Sequence, residues 1–204
     1  IAGAGSGKTR VLTYKVAYLL MQGLKPWSIL ALTFTNKAAN EMKERINRIV
    51  GGNEARHIYM GTFHSIFSRI LRVEAEKIGY TSNFTIYDDA DSKSLIKAIV
   101  KNHLVLPDGY AYDSSFQKRD VETHMLDMTK LYAAYCDRCR RANAMDFDDL
   151  LVNTYVLFNE HPEVLQKYAS NFQYILVDEY QDTNAVQQKI VCQLASVNNR
   201  VCAV

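Results

Sequence analysis

Ala2-Gly3-Ala4-Gly5-Ser6-Gly7-Lys8-Thr9 (AGAGSGKT) is the stretch that decides how the chain folds. It follows the phosphate-loop pattern G-x-x-x-x-G-K-[ST] with one departure, Ala2 in place of the first glycine. Gly3, Gly5 and Gly7 allow the backbone angles that turn successive N–H groups toward one point, a cradle for phosphate oxygens. A buried strand ending at Ile1 should lead into the loop, and a helix should leave it. Leu12, Val16, Leu19 and Leu20 recur at helical spacing, and Gly23 supplies a stop. The dipole of that helix faces the same anion. Lys8 is placed to bridge the β- and γ-phosphates of a nucleotide, and the Thr9 hydroxyl to ligate Mg²⁺.

Outward from the loop, strands and helices alternate. Residues 29–34 (ILALTF) read as a short buried strand, and Ala38, Met42, Ile46 and Ile49 mark one face of a helix ended by Gly51-Gly52. Residues 57–62 read as the next strand, with a helix from about Phe63. Helices are expected over residues 147–158, 163–169 and 185–195, and strands over 174–177 and 200–204. Such alternation predicts an α/β fold with a parallel, doubly wound sheet. Residues 88–144 differ in texture: rich in charge and helix formers, with no convincing strand, they read as a helical insertion.

The second half of a phosphate site must be a carboxylate at the end of a neighbouring strand. YILVDEYQD (residues 174–182) supplies one, because Asp178 and Glu179 fall at the carboxyl end of an apolar run, where open α/β sheets bind ligands. Asp178 is expected in the Mg²⁺ shell, with Glu179 orienting or deprotonating the attacking water. Each motif needs the other. Together they point to a Mg²⁺-dependent nucleoside triphosphatase.

Composition narrows the rest. In 204 residues, 24 basic and 22 acidic side chains leave a formal charge of +2, so nucleic-acid binding would need local patches rather than a global basic field. The 48% hydrophobic and 23% charged fractions exclude a disordered tail or a fibre. No apolar run approaches the roughly 18 residues of a membrane span, and with no signal peptide before the first motif a soluble, cytoplasmic chain is expected. Cys136 and Cys139 form an isolated C-x-x-C within YCDRCRR, far from Cys192 and Cys202. The spacing lacks the second pair or the histidines a zinc site needs, so reduced structural thiols are expected, and no zinc.

AGAGSGKT, LTFTNKAA, GTFHS, MDFDDLL and VDEYQDTN occur in this order along nearly the whole chain, and the set resembles the UvrD/Rep/PcrA-type superfamily 1 DNA helicases. The resemblance implies a RecA-like motor domain (residues 1–87 and 145–204) interrupted by an all-helical insertion (88–144). It implies ATP and Mg²⁺ as cofactors, and 3′-to-5′ translocation on single-stranded DNA with unwinding at duplex junctions. Motors of this kind serve repair, replication restart and plasmid replication in a bacterial cytosol or nucleoid. Gly3 to Thr9 map onto the nucleotide motif, Arg10 onto an arginine near the nucleotide, and Asp178 with Glu179 onto the metal- and water-handling pair. Gln181 takes a supporting role in coupling. A second motor domain of the same parent chain is the implied partner. The upstream glutamine motif that reads adenine and the arginine fingers are not among these residues, so the 204 residues alone should hydrolyse ATP poorly. Set beside the family it resembles, the insertion looks shorter around Val100 to Asn102.

Two strand ends suit a nucleic-acid contact. Thr33, Thr35 and Asn36 offer hydroxyl and amide groups to phosphate oxygens, and Phe34 offers a face on which a base can stack. Gly61, Thr62, Phe63 and His64 repeat the arrangement at the next strand end. Phe34 and Phe63 taken alone would suit a core; the resemblance favours Phe34, Thr62 and His64 as DNA contacts and leaves Phe63 open between the two. Asp146, Asp148 and Asp149 are read as structural, with Asp146 capping a helix. Arg138, Arg140 and Arg141 suit a solvated helix face better than a DNA contact. Two other functions remain compatible with the residues: a nucleotide-gated single-strand-binding or loading module, and, more distantly, a P-loop kinase.

Overall fold

Ile29–Thr33 (β1, ILALT) is buried along its whole length. An unbroken apolar run of that kind belongs to a strand covered on both faces. In the computed structural model, which describes residues 7–52, 54–103 and 126–204, β1 lies inside a four-stranded, wholly parallel sheet. Its parallel neighbours are Tyr59–Thr62 (β2) on one side and Tyr174–Val177 (β5) on the other. Val201–Ala203 (β6) pairs with β5, giving the order β2-β1-β5-β6. The strand expected to end at Ile1 lies outside the described residues.

The described chain divides into two compact units, one within Ile1–Ile78 and Leu150–Val204, the other within Gly79–Asp149. The first carries helices α1 (Lys8–Met21), α2 (Asn36–Val50) and α3 (Phe63–Glu74) before the division. Along β1, side chains alternate between the faces. Ile29 and Ala31 pack with Met60 and Leu176 beneath Leu12, Val16 and Leu19 of α1 and Met42 and Ile46 of α2. Helices cover the opposite face as well, where Leu30, Leu32, Ile175 and Val177 are buried.

The second unit holds β3 (Thr85–Ile86), α4 (Asp89–His103), α5 (Leu126–Arg141) and β4 (Ala144–Met145). At the borders of the span 88–144 that reads as helical, β3 and β4 pair in parallel, closing the two ends of the helical segment against each other. Two-residue strands carry too little alternation to be read from sequence. Asn143, at a left-handed φ of 50°, turns the chain into β4, and its amide oxygen accepts the N–H of Thr81 at 2.9 Å. Ile99, Tyr135 and Cys139 form one buried cluster of this unit.

Beyond it come α6 (Phe147–Glu160), α7 (Pro162–Asn171) and α8 (Ala185–Ala195). The strand expected over residues 57–62 is shorter, because Glu54–His57 forms a 3-10 turn before β2 begins at Tyr59. No helix among the described residues is long and apolar enough to cross a membrane.

Helix α8 starts in a reciprocal capping box: the Gln187 N–H donates to the Asn184 side chain, and the Asn184 N–H to the Gln187 side chain, both at 2.9 Å. Asn184→Ala should cost about 1 kcal/mol and lower the melting temperature by a few degrees in a thermal melt, while Asn184→Gly should cost only a few tenths of a kcal/mol.

Candidate nucleotide site and the adjoining strand ends

Parallel register puts the carboxyl ends of β1, β2 and β5 side by side, and the start of α1 meets them there. Gly7 caps α1 at a φ of 82°, a left-handed conformation that a side chain would strain. Lys8 and Thr9, the first two residues of the helix, reach the end of β5. The Thr9 hydroxyl donates to the Asp178 carboxylate, 3.0 Å from Oδ2 and 3.2 Å from Oδ1. Lys8 Nζ lies 3.1 Å from Glu179 Oε2. Two motifs about 170 residues apart in sequence therefore meet side chain to side chain. Ala2, Gly3, Ala4, Gly5 and Ser6 lie outside the described residues.

The two carboxylates occupy opposite environments. Asp178 is 3% exposed, and burial is the main cause of a pKa raised above the ordinary carboxylate value; the Thr9 hydrogen bond opposes the shift and the charge of Glu179 adds to it. Glu179 is held below its ordinary value, first by the Gln181 amide and then by Lys8. Gln181 Nε2 donates to the same oxygen that Lys8 contacts. Divergent environments for neighbouring acids are how sites separate one carboxylate's task from another's.

Backbone geometry fixes the pair. The Asp178 N–H donates to the Leu32 carbonyl at 2.9 Å, extending the β1–β5 ladder one residue beyond Val177. Glu179 adopts a left-handed φ of 52°, which places it off the strand line. The Tyr180 N–H then donates to the Val204 carbonyl at 2.8 Å. Thr9 and Asp178 offer oxygen donors only, the set a hard cation such as Mg²⁺ takes. Burial still holds the Asp178 pKa up despite the Thr9 hydroxyl and the nearby Lys8 charge, so a cation beside the carboxylate would relieve a buried charge.

The Arg10 guanidinium lies 5.6 Å from the Tyr14 ring, and Arg10 with Thr13, Tyr14, Arg45, Arg48 and Ile49 lines an open cleft of about 380 Å³ between α1 and α2. The sequence singled out Arg10 alone. The partners on α2 became visible only when the two helices were brought together.

The eight strand-end residues separate into two groups. Phe34, Thr35 and Asn36 are exposed, and Thr62 and His64 are partly buried. Thr33, Gly61 and Phe63 are buried. Thr35 and Thr62 are the N-caps of α2 and α3, accepting the N–H of Ala38 at 3.1 Å and of Ser65 at 3.2 Å. Their hydroxyls spend an acceptor lone pair on the cap and keep the O–H as a donor, at helix ends whose dipoles favour anions. A Cβ at Gly61 would come 2.5 Å from Ser65 Oγ, so a side chain there would have to turn the Ser65 hydroxyl off its bond to the Thr62 carbonyl.

Asp146 and Asp149 exchange capping bonds at the start of α6, with the Asp149 N–H 2.8 Å from Asp146 Oδ1 and the Asp146 N–H 3.2 Å from Asp149 Oδ2. Arg138, Arg140 and Arg141 fall in the last turn of α5, and Arg141 pairs with Asp137 at 3.0 Å. Cys139 is 1% exposed in the buried cluster of the second unit. No group of three or more His, Cys, Asp or Glu able to hold a metal ion occurs among the described residues.

Residues 1–204 match the UvrD/REP helicase N-terminal domain. The chain belongs to that family. It is 45% identical to an ATP-dependent DNA helicase PcrA of Staphylococcus aureus and 44% identical to one of Staphylococcus epidermidis, in each case over 221 aligned residues. Both alignments take in all of this chain and 30% of the relative. The chain thus spans about a third of the length of the curated relatives it matches. The aligned span exceeds the chain's own 204 residues, so the relatives carry residues that it lacks.

Two outcomes follow from the electrostatics. Because the Asp178 pKa is raised on folding, the native state holds its proton to higher pH than the unfolded chain, and stability falls as pH rises through that window. Asp178→Asn should therefore raise the melting temperature at pH 7–8, and the gain should vanish as pH drops below the ordinary carboxylate value. Burial pushes the Cys139 thiol up to about 11, so at pH 8 an aromatic disulfide reagent should label exposed Cys192 and leave Cys139 unmodified until the protein is denatured.

Proposed function

We propose that this chain is the first motor domain of an ATP-dependent 3′-to-5′ DNA helicase or translocase that binds Mg-ATP and single-stranded DNA. The reading rests above all on the meeting of Lys8 and Thr9 with Glu179 and Asp178 across two distant motifs. Membership of the UvrD/REP family and likeness to helicases named PcrA support it. DNA, duplex junctions and a second motor domain of a longer parent chain are the proposed partners, and a bacterial cytosol the proposed location.

The side chains divide the work. Magnesium, when bound, neutralises charge on the transferring phosphate. Thr9 and Asp178 would hold that ion, and the loop ending at Gly7 would seat the phosphates at the N-terminus of α1. Lys8 contacts Glu179 in the structure and would exchange that partner for phosphate oxygens, releasing Glu179 to orient water and accept its proton. A carboxylate held below its ordinary pKa is ionised at neutral pH, as that task requires. Gln181, bonded to Glu179, would set its direction. At the neighbouring strand ends, Phe34 would stack a base while Thr35, Asn36, Thr62 and His64 face the phosphodiester backbone.

The deciding measurement is steady-state ATP hydrolysis by the intact parent protein, with and without single-stranded DNA. DNA should stimulate turnover, Glu179→Gln should reduce it by about 10²-fold or more, and Lys8→Ala should abolish it. Phe34→Ala should weaken single-strand binding by roughly ten- to a hundred-fold, similarly across base sequences. Hydrolysis indifferent to DNA would detach the strand ends from nucleic acid. ATP-dependent DNA binding whose biological function survives Glu179→Gln would instead identify a loading module.

A further inference from the structure

Phe34 is the one residue between the end of β1 at Thr33 and the N-cap of α2 at Thr35. The residue is 38% exposed. Both chain neighbours are pinned. Thr33 is 0% exposed, and its hydroxyl donates to the Thr35 carbonyl at 3.1 Å, bridging across Phe34. Thr35 in turn accepts the Ala38 N–H. The inner side of the Phe34 ring meets Phe63, with centroids 5.7 Å apart and planes tilted by 55°. Phe63 is 1% exposed and continues inward to fully buried Phe67, at 6.0 Å and 69°.

We propose that Thr33 and Phe63 are positioning residues that fix how Phe34 is presented to a nucleic-acid base, and that neither contacts nucleic acid itself. This rests on the single-strand-binding reading above. A hydroxyl on an otherwise apolar strand is unfavourable to bury unless it keeps a hydrogen bond. The Thr33 bond adds nothing to the sheet ladder. It closes a short turn around one exposed aromatic residue, and Phe63 supplies the wall behind that residue. A side chain gripped from its backbone and from one flank loses little further freedom on stacking, so more of the stacking free energy appears as affinity.

Thr33→Val removes the hydroxyl while keeping volume and β-branching, Thr33→Ser keeps the hydroxyl, and Phe63→Met keeps bulk without a planar wall. The test uses the intact protein and a single-stranded oligodeoxythymidylate carrying one 2-aminopurine, whose fluorescence reports stacking. Thr33→Val and Phe63→Met should each weaken binding by about fivefold or more and reduce the stacking signal, while Thr33→Ser binds like the wild type. In a Phe34→Ala background neither change should weaken binding further. Losses that persist undiminished in that background would overturn the proposal, because both residues would then act without Phe34. Wild-type binding and fluorescence in Thr33→Val and Phe63→Met would overturn it too. Should Phe34→Ala alone bind like the wild type, the single-strand reading fails and the positioning roles fail with it. A melting temperature for each variant separates lost folding from lost presentation, and Thr33→Ser keeps the comparison interpretable if Thr33→Val unfolds.

Discussion

One backbone hydrogen bond, from the Asp178 N–H to the Leu32 carbonyl at 2.9 Å, fixes where everything else can act. It is the last rung of the β1–β5 ladder, and a slip of one residue would turn every side chain of β5 to the other face. With the register as it stands, Asp178 arrives beside the first turn of α1, within reach of the Thr9 hydroxyl. The same rung holds the end of β1, two residues before Phe34. The carboxylate of the candidate nucleotide site and the ring at the strand end thus hang from neighbouring positions of one ladder. That proximity provides a short physical path between them; coupling along it requires a second arrangement of the same elements.

The cost of this placement falls on Asp178. A carboxylate almost wholly out of water, bonded through its side chain to a neutral hydroxyl, is a poor choice for stability and a good one for gripping a cation. Glu179 shows the complementary compromise. Its left-handed backbone is unfavourable for a residue with a side chain, yet that turn swings it off the strand toward Lys8 and Gln181. Both departures from low-energy structure occur within two consecutive residues. Such concentration marks a site shaped by chemistry more than by folding.

Much of this was legible in the residues because each element is written locally. ILALT and YILV are short apolar runs that each read as a buried strand on their own, whereas the register that joins them is a long-range feature that only the fold supplies. What escaped the sequence was pairwise. That Lys8 would meet Glu179, or that Arg10 would share a cleft with Arg45 and Arg48, depends on helices packing together. The strands β3 and β4 escaped for a different reason: two residues apiece hold no period, and their stability comes from each other. Thr33 shows the limit of position alone, since a hydroxyl at a strand end reads as a surface group in the sequence and is 0% exposed in the fold.

The strand-end threonines show why a sequence motif can be dense in polar residues without being loosely built. Thr35 and Thr62 each stand at a junction where a parallel strand gives way to a helix, and each closes an N-cap. That role alone would account for their hydroxyls. An oxygen that accepts a backbone N–H still has its own proton to give, however, and the cap fixes where that oxygen sits. Two such donors, each at the positive end of a helix of 12 or 15 residues, form a fixed pattern of partial charge without a formal charge on either side chain. A chain with a net charge of only +2 can therefore attract a polyanion locally while lacking a basic field overall. Neutral donors also hold phosphates less tightly than lysines or arginines would, since hydrogen bonds with two charged partners are the stronger kind. If these strand ends do carry the proposed single-strand contact, weaker contacts at well-fixed positions would suit a surface that binds and releases its ligand repeatedly.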